Sequence, residues 1–190
     1  MTLYKGIDLL IIAYAILKKK YDHIRLVLKD SSDLYGIAGS KIFETLLKSR
    51  PDIITEELRA SIICISENLN LSRLSELYGS CDCYASPYRA EGFNIPPLEA
   101  AACGLPVLIT KGGATDDYYH SSFALQIEGQ KLTLGTDTII EPQLGSLIDK
   151  LEILIENKNS GIDKNYALNF ISDKYSWRTV ASALVDAFRA

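Results

Sequence analysis

The chain has 190 residues, 47% of them apolar and 23% charged, with 24 acidic against 20 basic side chains and a formal net charge of −4. That balance excludes a disordered chain and leaves no basic footprint for nucleic acid, while the length suits one domain with a real core. No apolar run reaches the roughly 18 residues a membrane helix needs, the stretch Ile7 to Leu17 being interrupted by Asp8, and the N-terminus lacks the pattern of a secretory signal.

Lys5 to Lys20 reads as an amphipathic helix, with Ile7, Leu10, Ile11, Tyr14 and Leu17 on one stripe. Asp8 near its start and Lys18, Lys19 and Lys20 at its end complement the helix dipole, and the lysines are expected to be a solvated terminus rather than a membrane patch. A short β-rich run, Ile24 to Leu28, precedes a turn at Asp30 to Asp33. A helix over Lys41 to Lys48 carries Ile42, Phe43, Leu46 and Leu47, with Pro51 beyond its end. Ser61 to Ile65 is the next strand, followed by a short helix through Leu71, Leu74, Leu77 and Tyr78 with Asn70 or Ser72 as cap.

Cys81 to Ala85 is a third strand, and the spacing of Cys81 and Cys83 predicts that both point to one face. With Cys64 and Cys103 they read as reduced core thiols of a cytosolic protein, and neither His23 nor His120 stands at ligand spacing from a cysteine, so no metal site is expected. Next comes a helix opened by Pro96 and Pro97 and closed by Gly104. Pro106 to Thr110 and Phe123 to Ile127 are the fourth and fifth strands, and residues 129–141 are polar, a loop or a small hairpin. Three helices finish the chain: Pro142 to Glu156, Asp163 to Ile171, and 176–189, capped by Ser176 and carrying Trp177, Val180, Ala181, Leu184 and Phe188. Strands alternating with helices imply one α/β domain over 1–190 with a doubly wound parallel sheet.

In such sheets ligands bind beyond the carboxyl ends of the strands. The segment Ser86 to Gly104 lies there: it follows a strand, turns at Gly92 and opens into a helix. The N–H groups around Gly92, Phe93 and Asn94 precede a helix N-terminus, which favours an anionic or oxygen-rich ligand. Glu91 and Glu99 flank that entrance, and carboxylates there can accept hydrogen bonds from sugar hydroxyls. Spacing alone leaves a plainer alternative open, with Glu99 a partner of the helix dipole and Glu91 a surface acid.

The run Glu91-Gly-Phe-Asn-Ile-Pro-Pro-Leu-Glu99-Ala-Ala-Ala-Cys-Gly-Leu-Pro-Val, then Lys111-Gly-Gly113, closely resembles the signature of retaining, nucleotide-sugar-dependent glycosyltransferases of group 1. Lys5-Gly-Ile-Asp-Leu-Leu and Tyr175-Ser-Trp177 resemble two further helix starts of that family, so the likeness spans nearly the whole chain. It implies the donor-binding, C-terminal half of the two-domain GT-B fold, a Rossmann-like unit. By that resemblance Glu91 contacts the transferred sugar, Glu99 holds the ribose, Lys5 neutralises the leaving diphosphate, and the backbone of Gly92, Phe93 and Asn94 lies against sugar and diphosphate. Gly112 and Gly113 either admit the donor or form a tight turn. Tyr88 and Arg89 line the same cleft, whereas Tyr118 and Tyr119 read as packing and the two histidines as surface or core residues.

The resemblance further implies no bound cofactor or metal, a nucleotide-diphosphate sugar as substrate, and an unidentified saccharide, lipid or protein acceptor. The expected location is the cytoplasm, at most peripheral to the inner face of the membrane. Family members carry an arginine and a strand before the lysine matching Lys5, and a whole acceptor-binding half. Here only Met1, Thr2, Leu3 and Tyr4 precede Lys5, so the first strand is missing and a gap in the sheet is expected, filled by an N-terminal domain, a second chain or an oligomer partner. Asn94, where relatives often have glycine, and Asp116-Asp117, where they often have glutamate, also depart. Competing readings are a non-catalytic Rossmann-like binding module completing another chain, and a sugar-nucleotide epimerase or phosphorylase of similar architecture.

Overall fold

In a computed structural model of the chain, residues 3–29, 39–135, 137–156 and 162–189 are described. A single 3₁₀ turn, Leu3–Lys5, leads into helix α1, Ile7–Lys20. Gly6 between them has φ +67°, and a Cβ there would sit 1.7 Å from the Pro87 carbonyl oxygen, so only glycine lets the helix start this close to the loop after β3. The buried stripe is wider than the periodicity predicts, with Ala13 and Ala15 joining Leu10, Ile11, Tyr14 and Leu17. Of the terminal lysines, Lys20 pairs with Glu152 at 2.8 Å and Lys18 donates to the Ile24 carbonyl at 2.9 Å.

Strand β1 is Leu26–Lys29 and helix α2 is Gly39–Ser49, longer at both ends than the expected helix; the turn expected at 30–33 lies outside the described residues. A short helix, α3 (Glu56–Ala60), was not anticipated, although its signal is present: Thr55 accepts from the Leu58 N–H at 3.2 Å and two glutamates fill the first turn. Strand β2 is Ile62–Ile65 and helix α4 is Leu71–Gly79, capped by Asn70, which accepts from the Arg73 N–H at 2.9 Å. The third strand, β3, is Tyr84–Ser86 rather than 81–85, because the Cys81 N–H still belongs to the end of α4, bonding Tyr78 O at 3.0 Å.

That shift corrects the cysteine reading. Cys81 packs on one hydrophobic cluster and Cys83 on the other, and Cys64 is an exposed thiol on β2 rather than a core residue. Helix α5 is Pro96–Ala102, with prolines in its first turn and Gly104 at φ +86° beyond its end. Then come β4 (Val107–Thr110), a 3₁₀ turn at Ala114–Asp117 and β5 (Ala124–Ile127). The polar stretch that follows is a hairpin, β6 (Gly129–Leu134) antiparallel to β7 (Asp137–Pro142). Helices α6 (Leu144–Ile155), α7 (Lys164–Tyr175, four residues past the expected end) and α8 (Trp177–Arg189) close the chain.

All pairings outside the hairpin are parallel, but they form two sheets, β1–β2 and β3–β4–β5. No described strand joins the pair to the triplet. One hydrophobic cluster nevertheless spans the break: Leu28 of β1, Leu108 of β4 and Ile127 of β5 meet α1, α2 and α6. On the opposite face Val107 and Ile109 pack with α5, α7, Tyr118 and Phe123. Alternate residues of β4 thus enter opposite cores, which is why Val-Leu-Ile-Thr is buried at every position. The apolar stripe of α8 is uncovered, with Trp177 85% and Phe188 84% exposed. No helix of the described residues is long and apolar enough to cross a membrane.

Burial pushes the Cys83 thiol up to about 12. The folded chain therefore holds this proton more tightly than the unfolded chain, so the contribution is complete below the ordinary thiol value and fades as pH rises toward that of the fold. Burial raises Tyr84 and Tyr118 in the same sense. Urea unfolding midpoints are expected to fall progressively above about pH 9, and at pH 8 a maleimide is expected to label Cys64 well before Cys83.

Candidate active site

Beyond the C-terminal ends of β3 and β4 two loops and the hairpin enclose a cleft of about 190 Å³. Tyr88 to Glu91 form one wall, Gly112 to Ala114 another, and Lys131, Thr138 and Ile140 of the hairpin the third. The wall at Tyr88 is rigid. Its ring is buried, and its hydroxyl accepts from the Thr115 N–H at 3.0 Å, shares a 2.8 Å bond with Thr115 Oγ1 and faces Thr110 O at 3.3 Å. A Cβ on Gly113 would lie 2.6 Å from that hydroxyl. Gly112 has φ +88°, and its N–H donates to Asp116 Oδ2 at 2.9 Å. The two glycines line the cleft, and each also has a reason within the fold to be glycine.

Arg89 is the hub of the site. Its guanidinium forks onto Asp8 of α1 at 2.8 and 2.8 Å and onto Glu141 of β7 at 2.6 and 2.8 Å. Its main chain is held too: its N–H donates to Tyr4 O at 2.6 Å and its carbonyl accepts from the Ile140 N–H at 2.9 Å. The hydrogen bonds to Asp8 are the main reason the guanidinium holds its proton even more firmly than an ordinary arginine; those to Glu141 add to them, against a cost of burial.

The clamp brings Lys5 onto Glu91. The Lys5 ammonium contacts Glu91 Oε1 as an ion pair without an aligned hydrogen bond, and the glutamate side chain is only 13% exposed. Glu99 stands apart from this cleft, half-buried on α5, where Oε2 accepts from the Tyr78 hydroxyl at 3.2 Å. The Tyr84 ring lies in the field of both glutamates: burial raises its hydroxyl first, and Glu91 and Glu99 add to the effect.

Gly92 faces open space, a Cβ there meeting no atom within 4 Å. Phe93 leans on Tyr118 and Tyr175 with centroids 5.4 and 6.2 Å away. Asn94 adopts the left-handed region at φ +65°, and its amide donates to Ser86 Oγ at 2.9 Å while its carbonyl accepts from the Tyr118 hydroxyl at 2.7 Å. Asparagine tolerates this backbone better than most residues, which is how it stands where glycine is common. The N–H groups of Gly92, Phe93 and Asn94 donate to no described residue. The start of α5 adds none, since Pro96 and Pro97 lack the group and Leu98 and Glu99 donate to Ile95 O at 2.9 and 3.2 Å. The main-chain N–H groups that donate to no described residue are thus those of the loop named from the sequence, and the helix start adds none.

Tyr118 is buried packing, and His120 stacks on Tyr166 at 4.4 Å between centroids; neither joins the cleft. Sequence reasoning missed Lys131 and Thr138. The Gly135 turn between residues that alternate across it was a hairpin signal, but nothing local tied it to a glutamate some forty positions earlier.

A parallel α/β unit whose polar cleft lies at the strand ends has the architecture of the C-terminal half of the GT-B fold. Residues 1–160 match the family model Glycosyl transferases group 1, and the chain belongs to that family. It is 25% identical over 187 residues to D-inositol 3-phosphate glycosyltransferase of Arthrobacter sp. strain FB24, covering 98% of this chain and 40% of that protein. It superposes on the Anabaena protein HepE in complex with UDP-glucose with a TM-score of 0.74 at 18% identity, covering all of this chain and 46% of that one. The C-terminal domain of the group 1 family protein LpcC from Francisella tularensis matches with a TM-score of 0.64 at 21% identity, covering 93% of this chain and 83% of that one. The chain thus spans less than half the length of the curated relative it matches.

Arg89→Ala is expected to lower the unfolding free energy by about 3 kcal/mol in urea titrations, because it strands two carboxylates. Arg89→Lys is expected to recover only part, since an ammonium cannot fork. Gly113→Ala should destabilise the fold by forcing the Tyr88 ring aside, while Gly92→Ala should leave the melting temperature unchanged.

Proposed function

We propose that the chain is the donor half of a retaining glycosyltransferase, which binds a nucleotide-diphosphate sugar and passes the sugar to a saccharide, lipid or protein acceptor held by a further domain or chain. The observation that carries this reading is the meeting of Lys5 and Glu91 at the cleft, beside the free N–H groups of the 92–94 loop. Family membership supports sugar transfer, and the HepE complex shows a relative in fold that binds UDP-glucose.

The chemistry asks for what these groups offer. As the bond from the anomeric carbon to the phosphate oxygen breaks, its electron pair leaves with the diphosphate, and positive charge builds on the sugar. A placed cation and main-chain donors stabilise that departing charge without reorganisation. Lys5 supplies the cation, and its pairing with Glu91 holds both side chains in place until the donor enters. Lys5 then turns to the diphosphate, releasing Glu91 to accept hydrogen bonds from sugar hydroxyls. The acceptor oxygen bonds the anomeric carbon on the face the phosphate leaves, and its proton passes to the departing phosphate oxygen. No protein nucleophile, metal or cofactor enters this scheme. Glu99 is assigned to the ribose, for which it must exchange the Tyr78 hydroxyl for those of the sugar. The open space at Gly92 leaves room for the donor. The proposed location is the cytoplasm, at most peripheral to the inner membrane face.

The interrupted sheet favours a second reading for this chain acting alone, a non-catalytic module that completes another chain. Calorimetric titration with UDP-, GDP- and ADP-sugars separates the two. Binding of one of them, weakened about tenfold or more in Glu99→Ala and in Gly92→Ala, is the expected outcome. Silence with all three would leave the binding module.

A further inference from the structure

Three cationic side chains line the cleft or meet a group in it, and two are neutralised within the fold. Lys5 meets Glu91, and Arg89 meets both Asp8 and Glu141. Lys131 lines the same cleft and pairs with no carboxylate among the described residues.

Its placement is not incidental. Lys131 lies directly opposite Ile140 in the antiparallel register, so the two side chains share one face of the hairpin. That face is turned onto the glycine loop, with the Ile140 methyl 3.2 Å from where a Cβ on Gly113 would sit and 3.5 Å from one on Gly112. The hairpin is held there by the Arg89–Glu141 fork, by the Ile140 N–H on Arg89 O, and by the Gln143 N–H on Glu128 O at 2.8 Å. A flexible four-carbon stem on a fixed strand carries three N–H donors to the mouth of the cleft.

Charge decides what such a lysine faces. The Lys5–Glu91 pair is neutral and cannot by itself balance a diphosphate, and Arg89 is outnumbered by its two carboxylates, so the ammonium of Lys131 is the cation of the described lining left to meet an anion. We infer that Lys131 is a diphosphate-binding residue of this site, its ammonium closing over the cleft from the hairpin and meeting the donor diphosphate opposite Lys5. The inference rests on the donor-binding reading above and adds to it a residue outside the two-glutamate segment.

The test uses the 190-residue chain with inorganic pyrophosphate, UDP, GDP and ADP as probes in calorimetric titrations. Lys131→Gln is expected to weaken pyrophosphate and whichever nucleoside diphosphate binds by the same factor, about tenfold at low salt. The deficit should shrink as salt rises, because the exposed ammonium is screened. Lys131→Arg should stay within about twofold of the parent, and the melting temperature of each variant should match the parent, since Lys131 is exposed. Unchanged pyrophosphate affinity in Lys131→Gln, with Lys5→Gln weakened, overturns the inference and leaves the donor reading standing. A loss confined to sugar nucleotides with an acidic sugar, tried as UDP-glucuronate, overturns it as well. A parent chain that binds none of the probes ends the donor reading and this inference together.

Discussion

The Arg89 guanidinium places four of its N–H groups on two carboxylates far apart in sequence, Asp8 at the start of α1 and Glu141 on β7. A planar fork suits this task because each carboxylate is met by two parallel donors, which fixes angle as well as distance. The main chain of the same residue is bonded to Tyr4 and to Ile140. One residue therefore sets how the first helix, the loop after β3 and the hairpin lie against one another. Lys5, Glu91 and Lys131 each ride on one of those three pieces. The relative placement of those side chains depends on this one contact.

Around that clamp the cleft is stiffened from below. Tyr88 is buried and bonded to Thr115 and to Thr110 O, and it forces the adjacent Gly113 to remain glycine. Asn94 anchors the neighbouring loop from the other side through Ser86 and Tyr118. What is left uncommitted among the described residues is small and local: open space at Gly92, three loop N–H groups and one lysine. A site whose walls are rigid and whose donors are free loses little on reorganisation when an anion arrives.

Two apolar features point outward from this frame. The sheet is broken between β1–β2 and β3–β4–β5, and α8 shows a stripe of Trp177, Val180, Leu184 and Phe188 to solvent. Parallel strands are normally covered and continuous, and a stripe of this size on a helix normally meets a partner. Both fit a unit that spans 40% of its inositol-phosphate relative.

Most of the element order was legible in the sequence, because helix stripes, caps and proline–glycine punctuation are local signals. The two-glutamate segment was legible as a family signature. Other features were not local. Cys81 and Cys83 face different cores because the end of α4 delays β3, and Glu99 bonds Tyr78 away from the cleft, a partner that its spacing from Glu91 does not reveal. Sequence by itself determined which segments are helix and strand and which loop carries unusual chemistry, since periodicity and turn residues act over a few positions. Only the tertiary structure decided that Arg89 is a clamp, that Gly113 abuts the Tyr88 hydroxyl, and that Lys131 lines the cleft. Those outcomes rest on contacts between residues dozens of positions apart, which no local pattern encodes.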